Sequence, residues 1–135
     1  VIVSDANLLV YLFVRGQWTS RAEQVAARDP LWAAPFLWRS EFRNALAGLV
    51  RSRVLPMDQT LMIVEEAERW MAGREYTVPS DQVLRLAAVS SCSAYDCEYV
   101  ALAQDLGVPL VTSDRQLQKA FPGTALAPAT FAARS

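Results

Sequence analysis

The stretch SAYDCEYVALAQDLGVPLVTSD, residues 93–114, decides how the chain is read. Tyr95 to Leu106 reads as a helix ended by Gly107 and Pro109, and Val108 to Thr112 as the strand that follows. Ser113 is then placed to cap a short helix from Asp114 to Phe121. The opening VIVSDANLLV, residues 1–10, has a related layout: Val1 to Ser4 is a strand, and Ala6 to Val14 is a helix apolar on nearly every side, predicting burial. In both places an acid, Asp5 or Asp114, lies within two residues of the carboxyl end of a strand.

The rest of the chain alternates in the same way. Ser20, Arg21, Ala22 and Glu23 form a capping-box sequence that opens a helix running to about Arg28. Leu31 to Ala34 is a short strand stopped by Pro35, and Leu37 to about Arg53 is a long helical run. Pro56 starts another through Met71, closed by Gly73, so the two make a helical hairpin. Glu75 to Val78 is a strand, Ser80 caps a helix to about Ser91, and Thr124 to Ala127 is an edge strand. This alternation predicts an α/β fold of three layers, a central, mostly parallel sheet flanked by helices. At 135 residues, with no repeat or linker, residues 1–135 are expected to form a single domain.

Composition narrows the chemistry. An apolar fraction of 53% with 20% charged residues is that of a globule with some apolar surface to spare for a partner. A net charge of −1 supplies no global basic field, which argues against a simple electrostatic coat for nucleic acid. It does not argue against a nuclease, because bound divalent ions reverse the sign of an acidic pocket. The chain has no histidine, so hydrolytic chemistry would run on carboxylates, which favour hard ions such as Mg2+ or Mn2+. Cys92 and Cys97 lack zinc-site spacing and read as reduced thiols. The apolar opening has no basic segment before it and carries Asp5, so it is not expected to be a secretion signal. No stretch is long enough to cross a bilayer, and a cytoplasmic location is expected.

Four acids stand out as candidate catalytic and metal-binding residues: Asp5, Glu41, Asp96 and Asp114. Ligand sites of parallel sheets form beyond the carboxyl ends of the strands, where Asp5 and Asp114 fall. Asp96 opens the helix before the last confident strand. Glu41 lies one turn into the helix after Pro35, with Asn44 beside it at i+3. The helix dipole alone would favour acids at Asp96 and Asp114. Asp5 is harder to dismiss, because it interrupts an apolar run where an unpaired buried carboxylate would cost several kcal/mol. Glu98 is read as pointing away from Asp96, and Glu65, Glu66 and Glu68 as a solvated face. Arg39 and Arg43 form a ridge away from Glu41, read as surface or interface, whereas Arg115 and Lys119 are the candidates for phosphate contacts. Trp32 and Trp38 read as core. Trp18, with Leu12 and Phe13, reads as one wall of a groove for a partner segment. Leu61, Ile63, Val64, Ala67, Trp70 and Met71 make a face read as part core and part homodimer contact.

VIVSDANLLV, PFLWRSEFRNAL (residues 35–46) and SAYDCEYVALAQDLGVPLVTSD together resemble PIN-domain ribonucleases, most closely the VapC-type toxins of type II toxin–antitoxin pairs. The resemblance runs in order and spacing over nearly the whole chain, with Tyr95 before the third acid and Thr112 two before the fourth. It implies a PIN-like fold with Asp5, Glu41, Asp96 and Asp114 as the metal and catalytic acids, Asn7, Asn44 and Thr112 near the metal, and Mg2+ or Mn2+ as cofactor. It also implies an RNA substrate cut to leave a 5'-phosphate and a 3'-hydroxyl, a cognate antitoxin, and a homodimer. Gln116 stands where some PIN domains carry a further acid. Two other functions fit parts of the pattern. One is a catalytically silent PIN-like module that binds RNA or protein, to which the intact four acids are opposed. The other is a receiver-like phosphoryl-transfer domain, which would need an acid paired with Asp5 and a lysine at a strand end, whereas Lys119 lies in a helix.

Overall fold

A computed structural model describes residues 1–134. Its elements, in chain order, are β1 (Ile2–Ser4), α1 (Ala6–Phe13), α2 (Thr19–Arg28), β2 (Trp32–Pro35), α3 (Leu37–Arg51), α4 (Met57–Met71), β3 (Glu75–Tyr76), α5 (Ser80–Ala88), α6 (Ala94–Leu106), β4 (Leu110–Val111), α7 (Arg115–Ala120), β5 (Ala125–Leu126) and α8 (Pro128–Ala132). The strands form a five-stranded sheet in the order β3-β2-β1-β4-β5. All neighbours are parallel, with Ile2 opposite Trp32, Val3 opposite Leu110, Ala34 opposite Glu75 and Leu110 opposite Ala125. The expected α/β class and central parallel sheet are therefore present.

The strand order sets where a site can form. From β1 the chain steps outward through β2 to β3, then returns to the other side of β1 to lay down β4 and β5. The direction of winding thus reverses between β1 and β4. The crevice beyond the carboxyl ends of those two strands is where a parallel sheet leaves room for a ligand.

Burial explains why the short strands hold. Ile2, Val3, Trp32, Ala33, Ala34, Leu110 and Val111 are all buried, as expected of strands covered on both faces. Helix α6 lies against β1, β2, β4 and α5, and buries Cys97, Tyr99, Val100, Ala101, Leu102 and Ala103. Gly107 takes a left-handed conformation, φ 67°, that ends α6 and turns the chain into β4, with Val108 N–H donating to the Ala103 carbonyl at 3.0 Å. Trp32 and Trp38 are core residues as expected. Trp70 stands edge-on to both Trp32 and Phe13, at ring separations of 5.0 and 5.6 Å.

The α3–α4 hairpin is fastened by charge. Arg39 donates to both oxygens of Glu75, at 2.6 and 2.8 Å, and Trp38 Nε1 also donates to Glu75 at 2.8 Å. Arg39 and Arg43 both pair with Glu68, at 3.5 and 3.6 Å. Glu68 is therefore not simply solvated, and the arginine ridge is tied to the protein's own acids. On α4, Ile63, Ala67 and Met71 are buried while Met57, Leu61 and Met62 face solvent, so the expected apolar face divides into core and open surface.

Several expected boundaries shift for local reasons. The 20–23 capping box does not form. Thr19 closes the turn instead, accepting from Gly16 N–H at 2.9 Å and donating to the Val14 carbonyl at 3.2 Å, and α2 starts at Thr19. Pro35 is the last residue of β2, opposite Tyr76, where its missing N–H costs no ladder bond. Ser80 sits inside α5 after Pro79, and α5 ends at Ala88. Asp114, not Ser113, caps α7, because its carboxylate accepts from Leu117 N–H at 3.0 Å. Helix α1 is buried on Ala6, Leu8 and Leu9 but exposes Asn7. The C-terminal α8 has no counterpart in the sequence reading. Cys92 and Cys97 are free, buried thiols. No helix among the described residues is long and apolar enough to cross a membrane.

Candidate active site

Asp5, Glu41, Asp96 and Asp114 come from four different elements and line one small pocket of about 90 Å3 at the β1/β4 crevice, together with Asn7, Tyr99 and Leu117. Asp5 is the residue after β1 and caps α1, with Oδ1 accepting from Leu8 N–H at 2.9 Å. Its other oxygen accepts from the Thr112 hydroxyl at 2.5 Å. The same Thr112 oxygen accepts from Asp114 N–H at 3.0 Å, and the Thr112 carbonyl accepts from the Gln118 amide at 2.7 Å. Thr112, fully buried just past β4, thus joins the two acid-bearing strand ends into one bonded unit.

Glu41 and Asp96 enter from helices. Tyr99, one turn along α6 from Asp96 and buried, donates its hydroxyl to Glu41 Oε1 at 2.5 Å and fixes that side chain across from α3. Asp96 sits in the first turn of α6, its N–H donating to the Ser93 hydroxyl at 3.1 Å. Asn7 lines the acid pocket. Asn44 does not: it lies beside Glu41 in an adjoining hollow shared with Asn7, Ser40 and Tyr95.

The electrostatics follow from packing acids together without a counter-charge. None of the residues lining the pocket is cationic. Burial pushes Asp5 up from its usual range to about 6 against the pull of the Thr112 and Leu8 bonds, and the charges of Asp114 and Glu41 add to the rise. Burial raises Glu41 as well; the Tyr99 bond opposes it and the charge of Asp96 reinforces it. Asp96 is raised by burial and then by Asp114, with Ser93 acting the other way. Tyr99 is held far on the neutral side by burial and by its bond to Glu41.

Among the described residues, no three His, Cys, Asp or Glu side chains are gathered as a ready metal cluster. The donor chemistry nonetheless fits a hard divalent cation: four carboxylates facing one cleft, an adjacent amide, and no sulfur or imidazole on its walls.

The remaining candidates separate. Arg115 is exposed and lines a second hollow next to the acid pocket, while Lys119 is exposed in the last turn of α7. Glu98 lines a hollow with Phe36 and Tyr76 outside the acid pocket, although burial and then the charge of Glu41 raise its carboxyl. Gln116 turns to the α5–α6 loop, donating to the Ser91 carbonyl and hydroxyl at 2.8 and 3.0 Å. Trp18 is 54% exposed and leans on Tyr11 at 6.2 Å. Its expected neighbour Phe13 packs on Trp70 instead. Sequence reasoning missed Tyr99, whose i+3 spacing from Asp96 was the available signal, and missed Arg21, which shares the hollow with Trp18.

No protein-family model matches the sequence. The chain is 28% identical over 124 residues to Ribonuclease VapC3 of Pyrobaculum aerophilum, covering 90% of this chain and 95% of that one. Its fold is similar to that of PAE2754 from Pyrobaculum aerophilum, with a TM-score of 0.72, 24% identity, and coverage of 97% of this chain and 92% of that one. FitAcB from Neisseria gonorrhoeae is similar at a TM-score of 0.72 and 18% identity, over 96% of this chain and 99% of that one. With a TM-score of 0.68 and 20% identity, FitAB bound to the IR36 DNA fragment shares the fold over 95% of both chains. Sequence and fold thus agree with the resemblance carried by the four acids and their spacing: the chain is similar in sequence to a VapC ribonuclease and shares its fold with PAE2754 and FitAcB.

Proposed function

We propose that the chain is a metal-dependent endoribonuclease, the toxin of a toxin–antitoxin pair, with Asp5, Glu41, Asp96 and Asp114 as its catalytic and metal-binding acids. The observation that carries this reading is the convergence of four carboxylates from four elements on one pocket without a cation. Kinship with Ribonuclease VapC3 supports the substrate class.

Each acid has a physical task in this reading. Thr112 and Leu8 N–H hold Asp5 in one rotamer, and the cap of α7 does the same for Asp114, so the two strand ends present fixed oxygens. Tyr99 keeps Glu41 turned into the cleft. Asn7, Asn44 and Thr112 orient the acids and bound water. Bound Mg2+ or Mn2+ would lower the pKa of a water and offset the charge of the phosphodiester during in-line attack. The products are RNA ends carrying 5'-phosphate and 3'-hydroxyl groups. Arg115 and Lys119 contact backbone phosphates beside the cleft.

The protein is further proposed to work as one domain, in the cytoplasm, as a homodimer. Exposed Met57, Leu61 and Met62 on α4 support a contact with a second copy. A cognate antitoxin would restrain it by covering the cleft. The test is cleavage of a mixed structured RNA pool by wild type and Asp5→Asn with Mg2+, Mn2+ or EDTA. Metal-dependent cutting, lost in the variant, is expected. Equal cutting by both would remove the site assignment, and none by wild type would remove the activity.

A further inference from the structure

Next to the acid pocket lies a wider hollow of about 530 Å3, within the range of about 300 to 1,000 Å3 typical of ligand pockets. The two have no lining residue in common but adjoin along the chain. Leu8, whose N–H holds Asp5, and Ser113, which precedes Asp114, both line the wider one. Its other features are opposite in kind. None of its lining residues is acidic, Trp18 and Tyr11 form an aromatic side, and Arg21 and Arg115 stand in it. Both arginines are exposed, and neither has an ion-pair partner among the described residues, unlike Arg15, Arg39, Arg43 and Arg69. An exposed indole in one hollow with two guanidinium groups that have no ion-pair partner among the described residues matches a ligand that offers a planar ring and an anion together.

We propose that this hollow is a nucleotide subsite, in which an unstacked base of single-stranded RNA lies on Trp18 while Arg21 and Arg115 hold the phosphates flanking it. The proposal rests on the nuclease reading for its substrate and names the part of the surface that grips the strand next to the cut. Stacking on an exposed aromatic is tolerant of base identity, and guanidinium groups suit phosphate through paired hydrogen bonds. An acidic peptide would satisfy the arginines but would leave the indole face without a planar partner. Position adds to the chemistry: a strand whose scissile phosphate occupies the acid pocket passes its neighbouring nucleotide across Leu8 and Ser113 into the hollow.

The experiment measures binding of a labelled, mixed-sequence single-stranded RNA hexamer to the Asp5→Asn protein in EDTA, where cutting is blocked. Adding Trp18→Ala should weaken binding about 5- to 100-fold, whereas Trp18→Phe keeps affinity within about 3-fold. Arg21→Gln and Arg115→Gln should each weaken binding and lower the slope of log affinity against log salt by roughly 0.7. Tryptophan emission should be quenched on binding, and that quenching lost in Trp18→Phe, because Trp32 and Trp38 are buried and the partly buried Trp70 packs on Phe13 and Trp32 and does not line the hollow. Unchanged affinity in Trp18→Ala, with melting intact, overturns the proposal and assigns the hollow to a protein partner. A wild type that fails to cut RNA while its binding still depends on Trp18 would remove the nuclease reading and leave the subsite standing.

Discussion

The acid pocket and the Trp18 hollow adjoin one another and differ in nearly everything else. One is about 90 Å3, walled by four carboxylates whose positions are set by Thr112, Tyr99, Ser93 and helix caps. The other is about 530 Å3, open, and built from an exposed indole and two unpaired arginines. Chemistry needs oxygens held to a fraction of an ångström, which demands burial and bonding. Gripping a flexible strand needs area and charge with freedom to adapt. The turns after β1 and β4 border both: they bring Asp5 and Asp114 to the acid pocket and Leu8, Ser113 and Arg115 to the hollow, while α3 and α6 add Glu41 and Asp96 to the first and α2 adds Arg21 to the second.

The sharpest way to break that contrast is Asp5→Asn. It should reduce RNA cleavage by a factor of about a thousand or more, read in single-turnover assays, if Asp5 carries chemistry as proposed. The same change should not cost stability at pH 8. With its pKa raised from 3.8 to about 6, Asp5 binds its proton more tightly in the folded state. Its contribution is fully present below about pH 4 and lost as pH rises through about 6, a loss of about 3 kcal/mol. Wild type should therefore melt higher at pH 4.5 than at pH 8, and Asp5→Asn should flatten that slope. Mn2+ at a hundred times its Kd should restore about 2.7 kcal/mol to wild type at pH 8 and little to the variant. A wild type whose melting ignores both pH and Mn2+ would mean the carboxylates are not crowded as described.

Next in size is Thr112→Val, which keeps shape and removes one hydroxyl. Asp5 would lose a donor and Asp114 N–H an acceptor. The expected cost is about 1.5–3 kcal/mol of stability and a 10- to 100-fold loss of cleavage, with no change in hexamer affinity at the Trp18 hollow. A fall in affinity as large as the fall in rate would show the two pockets to be one.

How much of this was legible in the sequence varies by the kind of interaction. The four acids, the parallel sheet and the α3–α4 hairpin follow from patterns local to each segment: an acid after a short apolar strand, alternating elements, a proline and a glycine at helix ends. Tyr99 and Glu68 were misjudged because their roles depend on pairings across 58 positions and between adjacent helices, which no local period reports. Arg21 was passed over because its segment was read as a capping box, and only the fold brings it beside Trp18 and Arg115. The cap of α7 fell to Asp114 rather than Ser113 because both are good caps and the strand end fixed which one met Leu117 N–H.

The smallest effect on catalysis is expected at Arg39, and it separates the two kinds of arginine. Arg39→Gln breaks a two-pronged bond to Glu75 and a contact with Glu68, leaving the half-buried Glu75 with only Trp38 Nε1 as side-chain donor. Arg39 holds Glu75 below its usual range chiefly through that hydrogen bond, so the variant should lose about 1–3 kcal/mol at pH 7 and less as Glu75 protonates in acid. Cleavage rate and hexamer affinity should stay within about 2-fold, because these charges are already spent on fastening β3 to the α3–α4 hairpin. A tenfold loss of RNA affinity in Arg39→Gln would move nucleic-acid binding to the other end of the sheet and away from Arg21 and Arg115. The contrast between paired and unpaired guanidinium groups would then say nothing about where the strand lies.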